Sequence, residues 1–504
     1  MPYLGLRGKA LLGAISATAG TGFCLFGIDN ASLGGVISSV PFDRRYHLDT
    51  TGQGAVTGAY EIGCFFGALF FAVCGERAAR RTIILIAIIP LLIGTVLQVA
   101  SYSVAQLSVG RVVAGIAMGA ITATLPVWQN ETSPAALRGT LICATLSMLV
   151  VGQLIAYWTA YGLLDRYDND MTWRVMFSLQ GMAGVIMGAL LLFMPESPRF
   201  LLSHDRPEEA RQVLAALADL PDEDPVITTQ MNEIVRAIEL EHSSAKSWKD
   251  LLTRGKDSQR EKRRMLTVTS FSSCQAFSGS TVFSYQEAIG MSSHTSTLLS
   301  GFLQIFFLIC SFGTWWLIEH AGRRRLFLLT AFAMAVSMFA IGGLVKQNTK
   351  PTGIAAAVLV FAYQGFFSWG WMAGVWVYSS EICPLSWRSK GMGLAVALQW
   401  LFDFVLLMVT PIGIGNIGYG MFILFGGFNL CFIPFVYFFC PETAGVPLES
   451  IDAFFILGVD PIKESERIRR EIREASQSRE EELLEVGALT EIIGEYDEKV
   501  GAEK

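Results

Sequence analysis

Three acids, Asp29, Glu61 and Asp403, stand inside long apolar runs, where a charge is costly unless it is paired, protonated or open to water. Burial strengthens a carboxyl's hold on its proton, and a nearby cation weakens it. An acid whose cationic partner comes and goes can therefore load and release a proton. Asp29 suits that chemistry, and suits a permanent ion pair equally well. Other chemistries lack their residues. None of the five histidines lies in an apolar run, and no His-Glu-x-x-His or paired Cys-x-x-Cys pattern occurs, so no catalytic residues, metal or cofactor are expected. Gly8-Lys9 and Gly255-Lys256 are not followed by the Ser or Thr of a phosphate-binding loop, so the chain is not expected to use ATP by itself.

A second chemical signal is repeated. Glu131, Pro134 and Arg138 return as Glu381, Pro384 and Arg388, all at one offset of 250 residues, and the run from Glu76 through Arg77, Arg80 and Arg81 returns from Glu319 through Arg323 and Arg324 at an offset of 243. The chain reads as two copies of one unit. Charged clusters set between apolar segments in both copies are the pattern of a duplicated membrane transporter.

The elements that must carry these residues follow from composition. With 504 residues, 52% of them hydrophobic and 16% charged, the chain is too apolar for a soluble globule. Segments long enough to cross ~30 Å of hydrocarbon as helix lie at about 11–36, 52–74, 82–102, 106–129, 140–162, 173–194, 266–289, 296–317, 326–345, 353–380, 391–415 and 420–440. The expected fold is all-α and integral to the membrane, with twelve transmembrane helices in two pseudo-symmetric six-helix bundles. Its divisions are a first bundle over 1–202, a linker with short helices over 203–264, a second bundle over 265–445 and a tail over 446–504. Pro207-Glu-Glu-Ala reads as the start of one linker helix. Basic residues such as Arg77, Arg80, Arg81, Arg138 and the Lys262-Arg263-Arg264 run gather on the face shared with both termini, which the positive-inside rule assigns to the cytoplasm. The tail after Pro461 is expected to be a solvated helix plus disorder. The nine cysteines show no disulfide or metal spacing and read as packing residues.

Ordered motifs then identify a likeness. The runs Gly27-Ile-Asp29-Asn-Ala-Ser-Leu-Gly34-Gly35, Tyr60-Glu61-Ile-Gly-Cys-Phe-Phe-Gly67, Pro195-Glu196-Ser-Pro-Arg199-Phe-Leu, Gln399-Trp400-Leu-Phe-Asp-Phe404 and Pro441-Glu442-Thr-Ala-Gly445 occur between about residues 20 and 452 in one order. The chain resembles the sugar porter family of the major facilitator superfamily, most closely its fungal hexose transporter-like members.

That resemblance implies roles. Arg111 matches the arginine beside the first-helix acid in proton-coupled members, which makes Asp29 and Arg111 the proton-coupling candidates. Facilitators that move no proton can keep the same aspartate. Glu61 belongs to a run typical of the family, and the resemblance makes it a satisfied structural acid that hydrogen-bonds between helices. Asp403 stands where fungal relatives usually carry Asn, so it reads as a second proton site or as a protonated stand-in for the amide, and the stand-in is favoured. The duplicated clusters imply a cytoplasmic gate made of Glu76, Arg77, Arg80, Arg81, Glu131 and Arg138 in one half and Glu319, Arg323, Arg324, Glu381 and Arg388 in the other, joined by Glu196, Arg199 and Glu442. Bidentate Arg–carboxylate pairs there would latch the halves together while the cavity opens outward. Ala79 replaces the family's Gly. Substrate-binding candidates by match are Gln153, Gln275, Thr281, Tyr285, Trp376, Gln399 and Trp400. Three departures make this pocket more apolar than the family's: Ala276 replaces a Gln, Thr281 an Asn, and Leu146 a helix-five Gln. Met372-Ala373 also replaces the Gly-Pro before Trp376.

The expected function is transport of a sugar or related polyol by alternating access, through proton symport or facilitated diffusion, across the plasma membrane with both termini cytoplasmic. The partners expected are a small-molecule substrate, a proton and the lipid bilayer, with no nucleic acid, and the protein is expected to be monomeric. Two alternatives stay open: a transporter of a more apolar metabolite, efflux included, and a non-transporting sugar sensor.

Overall fold

The structure is a computed structural model that describes residues 5–37, 39–75, 77–134, 137–244, 256–279, 293–347, 349–383, 388–446, 451–455 and 459–474. The first half contains α1 (Gly8–Val36), the short α2 (Val40–Tyr46), α3 (Thr50–Cys74), α4 (Arg80–Val99), α5 (Val104–Thr132), α6 (Arg138–Arg166) and α7 (Met171–Leu191). The linker helices are α8 (Pro198–Ser203), α9 (Pro207–Ala218) and α10 (Pro225–Ser244). The second half contains α11 (Lys256–Phe277), α12 (Ser293–His320), α13 (Arg323–Gln347), α14 (Lys350–Phe367), a π turn over Ser368–Met372, α15 (Ala373–Ile382), α16 (Arg388–Ile417) and α17 (Gly420–Phe439). Among the described residues, eleven helical segments are long and apolar enough to cross a membrane. The twelfth is α11, which leads into the expected span at 266–289, and the second part of that span lies outside the described residues.

These helices persist because a lipid-embedded backbone must satisfy its own hydrogen bonds. Large apolar side chains such as Phe66, Phe70, Ile86, Ile89 and Ile93 point outward and are more than half exposed, the surface that a bilayer rather than water would cover. Inside each bundle, small residues bring backbones together. A side chain at Gly27 of α1 would collide with the Leu149 carbonyl of α6, and one at Gly152 with the Cys24 carbonyl. Gly63 and Gly67 of α3 meet α5 in the same way, facing Gly115 and the Ile116 carbonyl. Between the bundles, α3 runs along α16 and α6 along α12.

Two segments depart from expectation. The start of the tail is a helix over 461–474 that is tied down: Ile468 packs against the core, and Arg469 Nε donates to the Ala444 carbonyl at 3.0 Å. The expected span at 353–380 is interrupted by the π turn. Its widened backbone frees carbonyls, and two are taken up by neighbours: Thr314 Oγ1 of α12 donates to Ser368 O at 2.9 Å, and Gln275 Nε2 of α11 donates to Met372 O at 3.3 Å.

Candidate functional site

Asp29 and Arg111 meet in the core of the first bundle. The close packing of α1 on α6 and of α3 on α5 holds them there. Arg111 Nη1 donates to Asp29 Oδ1 at 3.1 Å, and the two side chains are 2% and 0% exposed. The guanidinium also lies over the Tyr60 ring, 4.5 Å from its centroid, a cation–π contact strengthened by the dry setting. Two glutamines that no sequence motif singles out extend the pair's hydrogen bonds. Oriented to suit its neighbours, the Gln180 amide of α7 donates to Asp29 at 2.5 and 3.2 Å while its oxygen accepts from Thr95 Oγ1 at 3.2 Å and Gln98 Nε2 at 2.9 Å. The available signal was three polar residues, Thr95, Gln98 and Gln180, in otherwise apolar spans. Such groups seek one another in lipid.

A cluster of aromatic and amide groups lies where the bundles meet. Phe23 of α1 packs edge-on to Trp376 of α15 at 6.1 Å between ring centroids, and Phe26 packs on Trp400 of α16 at 5.2 Å. Gln153 of α6 follows the Gly152 contact, close to Gly27. Gln399 Nε2 donates to Gln275 Oε1 at 3.0 Å, so these two amides partly satisfy each other and the π turn. Two buried polar atoms have no partner: Gln153 Oε1, an acceptor, and Trp400 Nε1, a donor. Leu146 is buried in the apolar core. Of the substrate candidates, Gln153, Gln275, Trp376, Gln399 and Trp400 converge here, whereas Thr281 and Tyr285 lie outside the described residues. Glu61 departs from the expectation of a satisfied structural acid, because its Oε2 is buried with no hydrogen-bond partner.

The charged clusters repeat contact for contact. In the first half Arg80 Nη2 meets Glu131 at 3.3 Å, and in the second Arg323 Nη2 meets Glu381 at 3.2 Å. Arg80 Nη1 donates to the Gly75 carbonyl, as Arg323 Nη1 does to Ile318. Arg81 Nη2 donates to Leu192 O at 2.7 Å, and Arg324 Nη2 to Tyr437 O at 2.8 Å. Trp128 Nε1 and Tyr378 Oη donate to the carbonyls of Pro195 and Pro441.

The remaining acids cap helices. Neither α4 nor α13 begins with a side-chain cap of its own in these contacts. Glu196 accepts from Arg81 N at 3.1 Å, and Glu442 accepts from Arg323 N at 2.9 Å and Arg324 N at 3.0 Å. A carboxylate there satisfies free N–H groups and complements the helix dipole. Burial nevertheless pushes the Glu196 carboxyl above its ordinary range, against the pull of the Ser197 and Arg81 amides.

Each of these pairs joins residues of one bundle. The expected latch between the halves is therefore not what these pairs form; they staple the helix ends of each half, because Arg80 and Arg323 start helices that pack beside the ones carrying Glu131 and Glu381. Arg199 of α8 lies within electrostatic reach of Glu131, and Arg77 is exposed. Glu76 lies outside the described residues, and of Arg138, Glu319 and Arg388 only the backbone is described.

Residues 14–455 match the pattern of the "Sugar (and other) transporter" family. The chain belongs to this family. Relatives span the whole length. "MFS-type transporter oryC" of Aspergillus oryzae is 33% identical over 97% of this chain and 96% of its own, and "Sugar transporter STL1" of Saccharomyces cerevisiae is 32% identical over 99% and 90%. Among solved structures, the proton:xylose symporter XylE bound to 6-bromo-6-deoxy-D-glucose superposes with a TM-score of 0.77 at 24% identity, covering 89% of this chain and 99% of that one. That likeness shows the major facilitator fold, with twelve helices in two bundles. Membership makes this chain a multi-pass membrane protein, in keeping with its apolar outer faces.

Proposed function

We propose that the chain is a proton-coupled transporter of a sugar or related polyol, working as a monomer in the plasma membrane with both termini cytoplasmic. The observation that carries this reading is the buried Asp29–Arg111 pair at 3.1 Å, one turn from the aromatic cluster through Phe26 and Gly27. Transport by alternating access asks a site between two rocking bundles to bind solute from either side. Protonating Asp29 would release Arg111 from its partner and loosen the contacts of α1 with α5. Relatives and a structural neighbour named for sugar or proton:sugar transport support the substrate class. The carboxylate-capped helix ends serve as rigid pivots for the two halves in this reading.

A second reading is favoured by one specific observation. Gln275 and Gln399 partly satisfy each other, and Leu146 and Ala276 supply no hydrogen bond. Sugar recognition rests on several well-placed polar groups, and an unmet hydrogen-bonding group costs ~1–3 kcal/mol. A solute with few hydroxyls and an apolar face suits these residues better than glucose does.

The test is uptake of labelled glucose, xylose and glycerol by a yeast strain lacking its own hexose carriers, with and without a protonophore. Protonophore-sensitive uptake that Asp29→Asn abolishes supports symport. Absence of uptake for all three, with surface expression verified, overturns the sugar reading and leaves the apolar solute.

A further inference from the structure

Glu61 and Asp403 lie on the two helices that join the bundles. α3 and α16 run antiparallel: Gly54 faces Leu407 and Met408, Gly58 faces the Phe404 ring, and Gly393 faces Ala72. This register sets Glu61, one turn beyond Gly58, level with Asp403 across the seam. Glu61 is 5% exposed, and its Oε2 is buried with no partner. Asp403 is half-buried.

Among the described residues, the surroundings do not neutralise them. On its own helix Glu61 has Tyr60 and Cys64 for neighbours; from α5 it meets Arg111 and from α1 Asp29. Arg111 is already bonded to Asp29 at 3.1 Å. On the Asp403 side, α11 brings Gln275, bonded to Gln399, and carries its charges only over 256–264. The charge of α15 is at Glu381, at the far end of the bundle, and α17 has no charged residue. Among the described residues one cation, Arg111, thus serves both Asp29 and Glu61, and none is placed against Asp403. Two neighbouring carboxylates in a water-poor site do not both stay ionised.

We propose that Glu61 and Asp403 hold one proton between them across the seam, forming a second proton-binding site separate from Asp29. One carboxyl donates the shared proton and the other accepts it, so the pair carries a single negative charge and bonds the halves together. When the bundles rock apart and water enters, the proton leaves to that water and the two carboxylates repel. The unpartnered Glu61 oxygen is the atom that this bond would satisfy in the closed seam. The inference needs neither a known substrate nor proton transfer at Asp29.

The test is an infrared titration of the full-length protein in lipid nanodiscs, without substrate, between about pH 4 and 10. The expected result is a protonated-carboxyl band at neutral pH that is absent from the Glu61→Gln, Asp403→Asn double variant and retained in Asp29→Asn. In each single variant the surviving carboxyl should lose its proton about one pH unit lower, a tenfold change in proton concentration. A band unaffected by the double variant overturns the proposal, as does a survivor that titrates as in the wild type. Wild-type protein labelled with carbon-13 at the aspartate side-chain carboxyls covers the case of variants that do not fold. A neutral-pH band that shifts in part fits a proton shared between Glu and Asp, and a band that does not shift overturns the share of Asp403. Loss of proton-driven uptake in Asp29→Asn with this band intact separates the present pair from the coupling proposed above.

Discussion

Ala79 and Gly322 occupy equivalent turns before α4 and α13, yet their backbones differ: φ is −59° at Ala79 and +84° at Gly322. The left-handed turn at Gly322 lets both Arg323 N and Arg324 N reach the Glu442 carboxylate. The Ala79 turn offers Glu196 the Arg81 amide alone. One residue exchange has made the two halves cap their helices unequally.

The two turns should respond unequally to substitution. Gly322→Ala forces a side chain into a left-handed turn and toward Glu442 Oε2, 2.6 Å from the new Cβ. It should lower stability by about 1–2 kcal/mol. Ala79→Gly adds only chain entropy, about 0.5–1 kcal/mol, and less if the turn rearranges to the Gly322 form. Thermal unfolding of the purified protein in detergent would rank them, and equal losses would show that the turn geometry does not matter.

Unequal capping also predicts a pH effect. Folding raises the proton affinity of Glu196 above its ordinary value of 4.5, so its contribution to stability is fully present below that value and is lost as pH rises through the raised one. The stability of the wild type relative to Glu196→Gln should therefore fall with rising pH above 4.5. Melting curves across that range check it, and a difference that grows with pH would reverse the assignment.

The Asp29–Arg111 pair should tolerate its two single removals differently. Arg111→Ala leaves a buried carboxylate without its cation and should cost about 3–5 kcal/mol. Asp29→Asn keeps the shape and the Gln180 contact, so it should fold, exchange solute down its gradient and fail to accumulate it. Counterflow and accumulation assays on one proteoliposome preparation separate these behaviours.

Polarity of the cluster between the bundles should set the solute. Leu146→Gln with Ala276→Gln adds amides where none now reach, and one new hydrogen bond of about 0.5–1.5 kcal/mol would raise apparent glucose affinity severalfold. Trp400→Phe removes the unpartnered donor and keeps the ring. If Nε1 meets the solute, KM should rise by a similar factor, and an unchanged KM would place the solute elsewhere.

Much of this molecule is legible in one dimension. Every span except the one at 266–289 was located to within a few residues, because a run of about twenty apolar residues has no other way to satisfy its backbone in lipid. The paired offsets of 243 and 250 residues announced the duplication, and contacts such as Arg80–Glu131 and Arg323–Glu381 are its direct result. Asp29 was recognisable as a functional acid because charge is so rare in such runs.

Contacts between distant residues were decided only in three dimensions. Gln180 is 151 residues from Asp29 in the chain, and only the packing of α7 on α1 brings its amide to the carboxylate. The staples proved to lie within each bundle because helix ends pair with whatever packs beside them, which charge pattern alone does not specify. The π turn likewise follows no signal in Ser368–Met372 itself; it persists because Thr314 and Gln275, on two other helices, accept the strain by bonding the carbonyls it frees. The facing of Glu61 and Asp403 depends on the register of α3 against α16, set by where glycines let the two backbones touch.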